Sequence, residues 1–467
     1  MRDFSKRKHR VHFVGIGGIG MSGIAEVLLT LGFPVSGSDL AASETTERLV
    51  GLGATIALGH HADRVGPDVE VVVISSAVKF SNPEVVRARE LGIPVIPRAE
   101  MLAELMHMKY GLAVAGTHGK TTTTSLLGHV LAEAGLDPTL VIGGKVRGLG
   151  TNARLGQGSP LVAEADESDG SFLLLTPTLA IVTNIDPEHL DHYGTVERMH
   201  DAYLQFINRV PFYGLAVLCI DSVAVRALLP AVRKRYVTYG FAADAELQAV
   251  QPRVTREGTR FDVLERGRWL GEVRLQMPGR HNAQNALAVT AAARELGLTF
   301  DATATALASF QGIHRRFEVK GEVGGVTVVD DYAHHPQEIM ATLRAAREGY
   351  GQRVIAVFQP HRYTRTRDLF ESFLAAFDDA DLLVLTDIYP AGEDPIDGVT
   401  GEALYEALRR RGHVDVRFVR SREAIVAELL PHLRGGDLVL TLGAGDVHRV
   451  CEPLLAALAR DQPAALQ

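Results

Sequence analysis

Short apolar runs alternate with amphipathic segments along most of the chain. In the first hundred residues, segments at 11–14, 35–38 and 69–75 that are typical of short buried strands are separated by segments whose apolar residues recur every three or four positions. The first such segment stops at Gly32 and Pro34, as a helix would. Because buried strands that alternate with helices favour a parallel sheet, the pattern predicts an α/β first domain.

Two further strand-and-helix series follow. The second has apolar runs at 112–115, 161–163, 179–183 and 215–220, and the third has them at 326–329, 354–358, 382–386 and 438–442. Between these series, glycine-containing turns within 254–269 predict β-hairpins, and a helix is expected around 285–296. A length of 467 residues is also typical of about three domains. We therefore expect three α/β domains, at 1–105, 106–318 and 319–467, with a mixed sheet in the central one.

Composition and charge exclude several classes of protein. Hydrophobic residues make up 46% of the chain, which is typical of globular domains, and no apolar run reaches the roughly 18 residues of a membrane span. The formal charge of −8 predicts no broad basic surface for nucleic acid. Cys219 and Cys451 lie far apart in apolar contexts, which predicts reduced core residues. With no signal-peptide pattern, we expect a cytoplasmic protein with no membrane or nucleic-acid partner.

A glycine-rich turn follows the first predicted strand and precedes a helix. Its glycines are Gly15, Gly17, Gly18 and Gly20, and Ser38 and Asp39 end the second strand. Glycines let the backbone approach a pyrophosphate, which the N–H groups of the helix then bind. Taken alone, the turn suggests a nicotinamide-dependent dehydrogenase with Asp39 facing the ribose, or a turn needed only for packing.

A second glycine-rich turn has the context of a phosphate-binding loop. It joins the strand at 112–115 to a helix, and its residues are Gly116, Thr117, His118, Gly119, Lys120, Thr121 and Thr122. In such loops, backbone N–H groups and the lysine surround the β- and γ-phosphates, and the hydroxyl after the lysine reaches a magnesium ion. The loop departs from the usual pattern because Val114 stands where its first glycine would be. A nicotinamide enzyme has no use for a γ-phosphate site, so this loop favours an ATP-dependent enzyme.

Polar residues follow two more strands of the central series. Glu164 begins an acidic run at 164–169, and His189 lies just beyond the strand at 179–183. The carboxyl ends of parallel strands meet at one edge of a sheet, where α/β proteins bind their ligands. A carboxylate and an imidazole beside a phosphate loop suggest one or two divalent ions, although an isolated acidic run is more often a solvated loop.

The third series has two polar strand ends, at 330–336 and 359–365. Their candidate functional residues are His334, His335, His361, Arg362 and Arg365. The paired histidines suggest zinc as one alternative, but no third ligand has metalloprotease spacing. The arginines are better suited to a carboxylate or phosphate, and ordinary surface loops are the alternative.

Taken together, these motifs resemble those of the Mur ligases, which form amide bonds at the expense of ATP in peptidoglycan precursor synthesis. The shared motifs are GTHGKTT at 116–122, EADESD at 164–169, GRHNAQNA at 279–286 and RRFE at 315–318. Residues 15–21, 330–336 and 359–362 are most similar to the branch that joins L-alanine to UDP-N-acetylmuramate. The resemblance implies a Rossmann-like N-terminal domain for the UDP-sugar, a central P-loop ATPase and a C-terminal Rossmann-like domain that receives the amino acid.

The same resemblance implies roles for individual residues. Lys120 would contact the ATP phosphates, Thr121 and Glu164 would hold one Mg²⁺ or Mn²⁺ ion, and Glu164 with His189 would hold a second. Asn282 and Asn285 match the segment near adenine, and Arg315 or Arg316 would bring positive charge to the reaction. The substrate-facing positions would be Gly15, Gly17, Gly18, Gly20, Ser38 and Asp39 for UDP, and His334, His335, His361, Arg362 and Arg365 in the third domain.

Two alternative functions remain, and one segment of the chain departs from the family pattern. A murein peptide ligase, which joins a preformed tripeptide to the same sugar acid, is the nearest alternative, and a nicotinamide oxidoreductase is the alternative from another class. Several Mur ligases use a carbamylated lysine at the second metal ion, but the matching stretch here, residues 197–209, contains no lysine. We expect a monomer or weak homodimer.

Overall fold

The computed structural model describes residues 8–75, 77–142, 153–412 and 415–461, which form two compact units. The first unit contains the described residues up to 250 together with 262–273 and 284–310. The second contains 251–261, 274–283 and the described residues from 311 onward. The first two predicted domains fall largely within one unit, so the boundary expected near residue 105 stays a prediction.

The first sheet contains five parallel strands. They are β1 (Val11–Val14), β2 (Val35–Asp39), β3 (Thr55–Leu58), β4 (Val71–Ile74) and β5 (Val95–Pro97), in the order β3-β2-β1-β4-β5. The helices of this part are α1 (Ile19–Thr30), α2 (Glu44–Gly51), α3 (Pro83–Glu90) and α4 (Arg98–His107). Helix α1 ends as expected, since Gly32 follows its last turn with a left-handed φ of +81°.

The second sheet contains ten strands. They are β6 (Tyr110–Ala115), β7 (Thr139–Val141), β8 (Ala153–Arg154), β9 (Pro160–Glu164), β10 (Leu179–Val182), β11 (Leu215–Cys219), β12 (Tyr236–Gly240), β13 (Leu247–Thr255), β14 (Gly258–Glu265) and β15 (Arg268–Leu275). Their order is β15-β14-β13-β12-β11-β10-β6-β9-β7-β8, with β7 and β8 antiparallel. The helices are α5 (Lys120–Glu133), α6 (Leu190–Tyr193), α7 (Val196–Asn208), α8 (Val223–Leu228), α9 (Arg280–Glu295) and α10 (Phe300–Ser309). The predicted mixed sheet and hairpin turns are confirmed.

The third sheet contains six strands. They are β16 (Glu318–Val323), β17 (Val326–Asp331), β18 (Arg353–Phe358), β19 (Leu382–Leu385), β20 (Val416–Phe418) and β21 (Asp437–Leu442), in the order β16-β17-β21-β18-β19-β20. Only the pairing of β16 with β17 is antiparallel among these described strands. The helices are α11 (Pro336–Tyr350), α12 (Tyr363–Asp368), α13 (Phe370–Ala375), α14 (Gly401–Arg411), α15 (Ile425–Leu429) and α16 (Cys451–Asp461).

Each face of the third sheet packs into its own apolar core. Val329 and Leu440 belong to one core, whereas their neighbours Val328 and Val439 belong to the other. Strands buried on both faces explain the continuous apolar runs in the sequence. Cys219 and Cys451 are buried free thiols, as expected. Within the described part of the chain, no helix has the length and apolar character to span a membrane.

Candidate active site

The turn between β6 and α5 has the shape of a phosphate-binding loop. Gly116 and Gly119 both have left-handed backbones, with φ of +134° and +82°. A side chain at Gly116 would overlap the Thr183 hydroxyl, and a Cβ at Gly119 would lie 2.7 Å from the Asn285 side-chain oxygen. Both positions therefore require glycine, for conformation and for space.

Lys120, the first residue of α5, is held inside this loop. Its ammonium group donates to the carbonyl oxygens of Gly116 and Thr117 at 2.7 and 3.1 Å and to a carboxylate oxygen of Glu167 at 2.8 Å. Burial by itself lowers the pKa of Lys120, but Glu167 and Glu164 outweigh burial, so its pKa lies above the ordinary value. The lysine is therefore a fixed positive charge at the loop.

Glu167 is a functional candidate that the sequence analysis did not assign. Its side chain is only 3% exposed, and burial raises its pKa to about 7 even though Lys120 acts in the opposite direction. Its backbone carbonyl accepts a hydrogen bond from the Tyr193 hydroxyl at 2.5 Å. Sequence places Glu167 in a run of similar acids, and only its burial against Lys120 distinguishes it.

The remaining predicted metal ligands fall into two groups. The Thr121 hydroxyl donates to Glu164 at 3.0 Å, so the pair expected at the first ion lies together. His189, expected with Glu164 at a second ion, has Glu167 and Glu188 close to it, each with an oxygen 3.9 Å from Nε2.

One ligand atom from each of Glu167, Glu188 and His189 lies within 4.8 Å of the other two. Carboxylate oxygens suit Mg²⁺ or Mn²⁺, and an imidazole is a common additional ligand for Mn²⁺. The donor set therefore fits a divalent ion. Among the described residues this is the group with metal-ligand geometry, and it includes neither His334 nor His335.

Other loop residues support the phosphate site. The Thr117 hydroxyl accepts the backbone N–H of Asp186 at 2.9 Å, and His118 Nε2 lies 3.3 Å from the Asp186 carboxylate. Thr122 is buried in α5. Of the two expected adenine residues, Asn285 approaches Gly119, whereas Asn282, in the second unit, donates to the Pro278 carbonyl at 2.8 Å.

The first glycine turn is tied to the end of β2. The Ser38 carbonyl accepts from the N–H groups of Gly15 and Ile16, and the Asp39 carboxylate accepts from the Gly17 N–H at 2.7 Å. Gly18 is the residue that precedes α1, as a ligand-binding turn requires.

Two side chains near this turn were not interpreted fully from the sequence. A Cβ at Gly20 would overlap the Arg98 guanidinium, so this arginine lies directly against the first turn of α1. Ser38, expected among the UDP-binding residues, is buried, and its hydroxyl donates to Glu84 at 2.7 Å. Its visible role is within the protein rather than at the surface.

Arg315 and Arg316 lie side by side in the second unit. Arg315 Nε donates to Asp330 at 3.1 Å, and Arg316 Nη1 donates to Glu338 at 3.5 Å. Both guanidinium groups lie over the ring of Tyr332, 4.9 and 5.4 Å from its centre. These contacts fix two positive charges beside the polar end of β17.

The predicted histidines of the second unit differ in role. The rings of His334 and His361 are 5.8 Å apart, and Arg365 Nη1 lies 3.3 Å from His361 Nδ1. Burial, His334 and the nearby arginines lower the pKa of His361 to about 3, and burial also lowers that of His334. His335 is different, since it is buried at the start of α11 and accepts the Gln337 N–H there.

Arg362 adjoins this group through a strained backbone. Its φ is +71°, and its N–H donates to the Tyr389 carbonyl at 2.9 Å. The structure therefore brings His334, His361 and Arg365 together with Arg362 next in the chain, and places His335 in a helix cap. A cationic cluster with neutral imidazoles suits a small anionic substrate group.

Models of Mur ligase domains match most of the chain. Residues 10–110 match the model described as "Mur ligase family, catalytic domain", 114–293 match "Mur ligase middle domain", and 315–445 match "Mur ligase, glutamate ligase domain".

Curated proteins and solved structures agree with these matches. The chain is 59% identical to a UDP-N-acetylmuramate–L-alanine ligase of Anaeromyxobacter dehalogenans, over 98% of this chain and 99% of that protein. It is 58% identical to the protein of the same name from Geotalea daltonii, over 97% and 99%. The crystal structure of the UDP-N-acetylmuramate–alanine ligase MurC of Thermotoga maritima is similar with a TM-score of 0.79 and 31% identity, over 97% of this chain and 100% of that one.

Proposed function

Because the chain belongs to the Mur ligase family, we propose that it joins L-alanine to the lactyl carboxylate of UDP-N-acetylmuramate with consumption of ATP, in peptidoglycan precursor synthesis. The observation that carries this proposal is the 59% identity, over nearly the full length of both chains, to a ligase of that name. The phosphate loop around Lys120 supports the use of ATP, and the cationic group around His361 supports binding of small anionic substrates.

The reaction has two steps. In the first, an oxygen of the lactyl carboxylate attacks the γ-phosphorus of ATP, which gives an acyl phosphate and ADP. In the second, the amine of L-alanine attacks the acyl carbon, the tetrahedral intermediate loses inorganic phosphate, and the amine gives up a proton. Negative charge develops on the reacting groups in both steps, so the protein contributes mainly alignment and fixed positive charge.

The residues at the phosphate loop fit the first step. Lys120 exchanges part of its bonding with Glu167 for the β- and γ-phosphates of ATP, and the loop N–H groups bind the same phosphates. Thr121 and Glu164 would hold one divalent ion, and His189 with Glu167 and Glu188 would hold a second. When bound, Mg²⁺ neutralises charge on the phosphates.

The residues of the second unit fit the amino acid and the developing negative charge. Arg362 and Arg365 bind carboxylate or phosphoryl oxygens. The ring of His361 is uncharged, so the positive charge comes from the two arginines. Arg315 and Arg316 supply further positive charge. The first glycine turn binds the UDP pyrophosphate at the start of α1. We expect the protein to act in the cytoplasm as a monomer or weak homodimer, with no nucleic-acid or membrane partner.

The decisive experiment measures ADP release with UDP-N-acetylmuramate while the acceptor is varied from L-alanine to L-alanyl-D-glutamyl-diaminopimelate. We expect faster turnover with L-alanine, and faster turnover with the tripeptide would favour a murein peptide ligase. A thermal-shift comparison of NAD, ATP with magnesium, and UDP-N-acetylmuramate tests the oxidoreductase alternative. Stabilisation by NAD alone would overturn the ligase assignment.

A further inference from the structure

A buried polar network lies beneath the first glycine turn. At its centre is Glu84, in the first turn of α3, whose side chain has no exposure to solvent. Its carboxylate lies 2.9 Å from His12 Nε2 and accepts from the Ser38 hydroxyl at 2.7 Å. The same carboxylate accepts the backbone N–H of His61 at 3.2 Å, and His60 Nδ1 lies 3.4 Å from it.

The carboxylate of Glu84 is ionised despite its burial. Burial by itself raises the pKa of Glu84, but hydrogen bonds from His12 and Ser38 and the two neighbouring imidazoles outweigh it, so the pKa lies below the usual range. Well-packed apolar residues often match or exceed the stability of a buried ionic network. Stability alone therefore does not account for an ionised carboxylate at this position.

The partners of Glu84 lie on the two strands that form the glycine turn. His12 is in β1, three residues before Gly15, and its Nδ1 lies 2.9 Å from the Ser36 hydroxyl of β2. Ser38 ends β2, and its carbonyl accepts the N–H groups of Gly15 and Ile16. Glu84 thus joins both strands at the point where the turn begins.

The network also reaches the surface beside the turn. His60 Nδ1 lies 2.9 Å from the Ser38 hydroxyl, and the His60 side chain is 18% exposed, unlike those of His12 and Glu84. Because the Ser38 hydroxyl donates to Glu84, it accepts from His60, which fixes the orientation of that ring. The partly exposed His60 is therefore held by the same carboxylate, Glu84, that contacts the buried His12.

We propose that Glu84 is a positioning residue for the nucleotide sugar, acting through His12, Ser38 and His60 to hold the glycine turn in its ligand-binding geometry. This inference rests on the proposed function, in which the turn at Gly15–Gly20 binds the UDP pyrophosphate. Hydrogen bonds from backbone N–H groups to phosphate depend on sub-ångström placement, so loosening both strand ends weakens binding without any direct contact to the ligand.

The test replaces Glu84 with glutamine, which keeps the shape and removes the charge. For Glu84→Gln we expect roughly tenfold weaker binding of UDP by calorimetry and a similar rise in the KM for UDP-N-acetylmuramate, as for a lost buried charged hydrogen bond. The kcat and the KM for ATP stay within about twofold, because the phosphate loop lies in the other sheet of the same unit. Glu265→Gln is the matched control, since it removes a carboxylate paired with Arg294 at 3.0 Å, away from the glycine turn.

His12→Gln provides a second, independent variant should Glu84→Gln fold poorly. We expect it to weaken UDP binding in the same direction, and the double variant Glu84→Gln/His12→Gln to lose less than the sum of the two single effects. Such coupling distinguishes a shared network from two unrelated losses.

The outcomes separate this inference from the proposed function. A wild-type protein that binds ATP but not UDP would refute the assignment of the glycine turn itself. A wild-type protein that binds UDP, with folded variants that bind it equally well, would refute only the role of Glu84. A proportional loss of ATP and UDP affinity in the variants would show a general structural role and would also overturn the proposal.

Discussion

Replacing Lys120 with methionine should separate chemistry from stability at the phosphate loop. The substitution keeps an unbranched side chain but removes the charge that contacts Glu167 at 2.7 Å and two loop carbonyls. We expect ligation to fall by roughly 10²- to 10³-fold or more, the range for removal of one charge-stabilising group from an active site. Binding of UDP-N-acetylmuramate should stay nearly unchanged, because the UDP site is assigned to the other glycine turn.

The same substitution should lower the free energy of unfolding. Glu167 is 3% exposed, so loss of its partner leaves a buried carboxylate uncompensated, which typically costs about 3–5 kcal/mol. Glu167 can relieve part of this cost by taking up a proton. Its pKa is already raised from 4.5 to about 7 in the presence of Lys120, and loss of the lysine moves it higher.

The pH dependence of stability follows from the direction of this shift. When folding raises the pKa of an acid, the protonated acid favours the folded state. Its contribution to stability is complete below the unfolded-state pKa, and it is lost as pH rises through the folded-state pKa. The stability deficit of Lys120→Met should therefore be small near pH 5 and grow above pH 7. Urea unfolding at pH 5, 7 and 8 measures it.

A double variant provides the control. Lys120→Met/Glu167→Gln removes both charges, so it should recover most of the lost stability at pH 8 while remaining inactive. The reasoning would be refuted if the single variant were as stable as the wild type at pH 8. It would equally fail if UDP-N-acetylmuramate affinity dropped as much as turnover did.

Four other predictions concern separate parts of the molecule. Glu188→Gln should weaken Mn²⁺ binding at the His189 group, as measured by electron paramagnetic resonance. Activity should survive removal of carbon dioxide and bicarbonate, because residues 197–209 contain no lysine to carbamylate; activity restored only by bicarbonate would contradict this. The pKa of His361 is lowered to about 3, so the folded protein favours the neutral imidazole and loses stability as pH falls from 6.5 towards 3. His361→Gln should make this fall in the free energy of unfolding smaller; an unchanged acid profile would argue against it. Hydrogen exchange at 313–320 should change when both substrates bind, because the proposed function assigns Arg315 to a reaction whose phosphate loop lies in the other unit; identical exchange with and without substrates would count against this assignment.

Sequence pattern was sufficient for the central buried strands and for the phosphate loop. The apolar runs predicted strands such as β1, β6 and β18 but not β3 or β20, and Gly116, Gly119 and Lys120 have few other structural explanations at a strand–helix junction. It was insufficient for Glu167 because the acids at 164–169 share one pattern, and their burial depends on contacts with other elements. His189 was found as a candidate, but its partners could not be chosen among the nearby acids.

The network around Glu84 could not be predicted from the sequence for a different reason. In sequence, Asn82, Pro83 and Glu84 read as an ordinary helix start, with a capping side chain, a proline and an acid in the first turn. The partner of that acid, His12, lies 72 residues earlier, and nothing in the local pattern of either residue indicates the pairing. Long-range polar contacts of this kind depend on the strand order of the sheet, which local periodicity does not specify.

Three of the eight described non-glycine residues with positive φ are functional candidates. His189, Arg315 and Arg362 were selected from the sequence for their chemistry, and all three have left-handed backbones, with φ of 56°, 57° and 71°. Such a conformation in a residue other than glycine costs on the order of 1–3 kcal/mol and persists only where surrounding contacts hold it. Here those contacts include the bond from the Arg315 N–H to Glu318 at 2.9 Å and that from the Arg362 N–H to the Tyr389 carbonyl at 2.9 Å. Glycine would relieve the strain at each position but would also remove the charged or imidazole side chain, so each of these side chains is placed by a backbone that its surroundings must hold in a strained conformation.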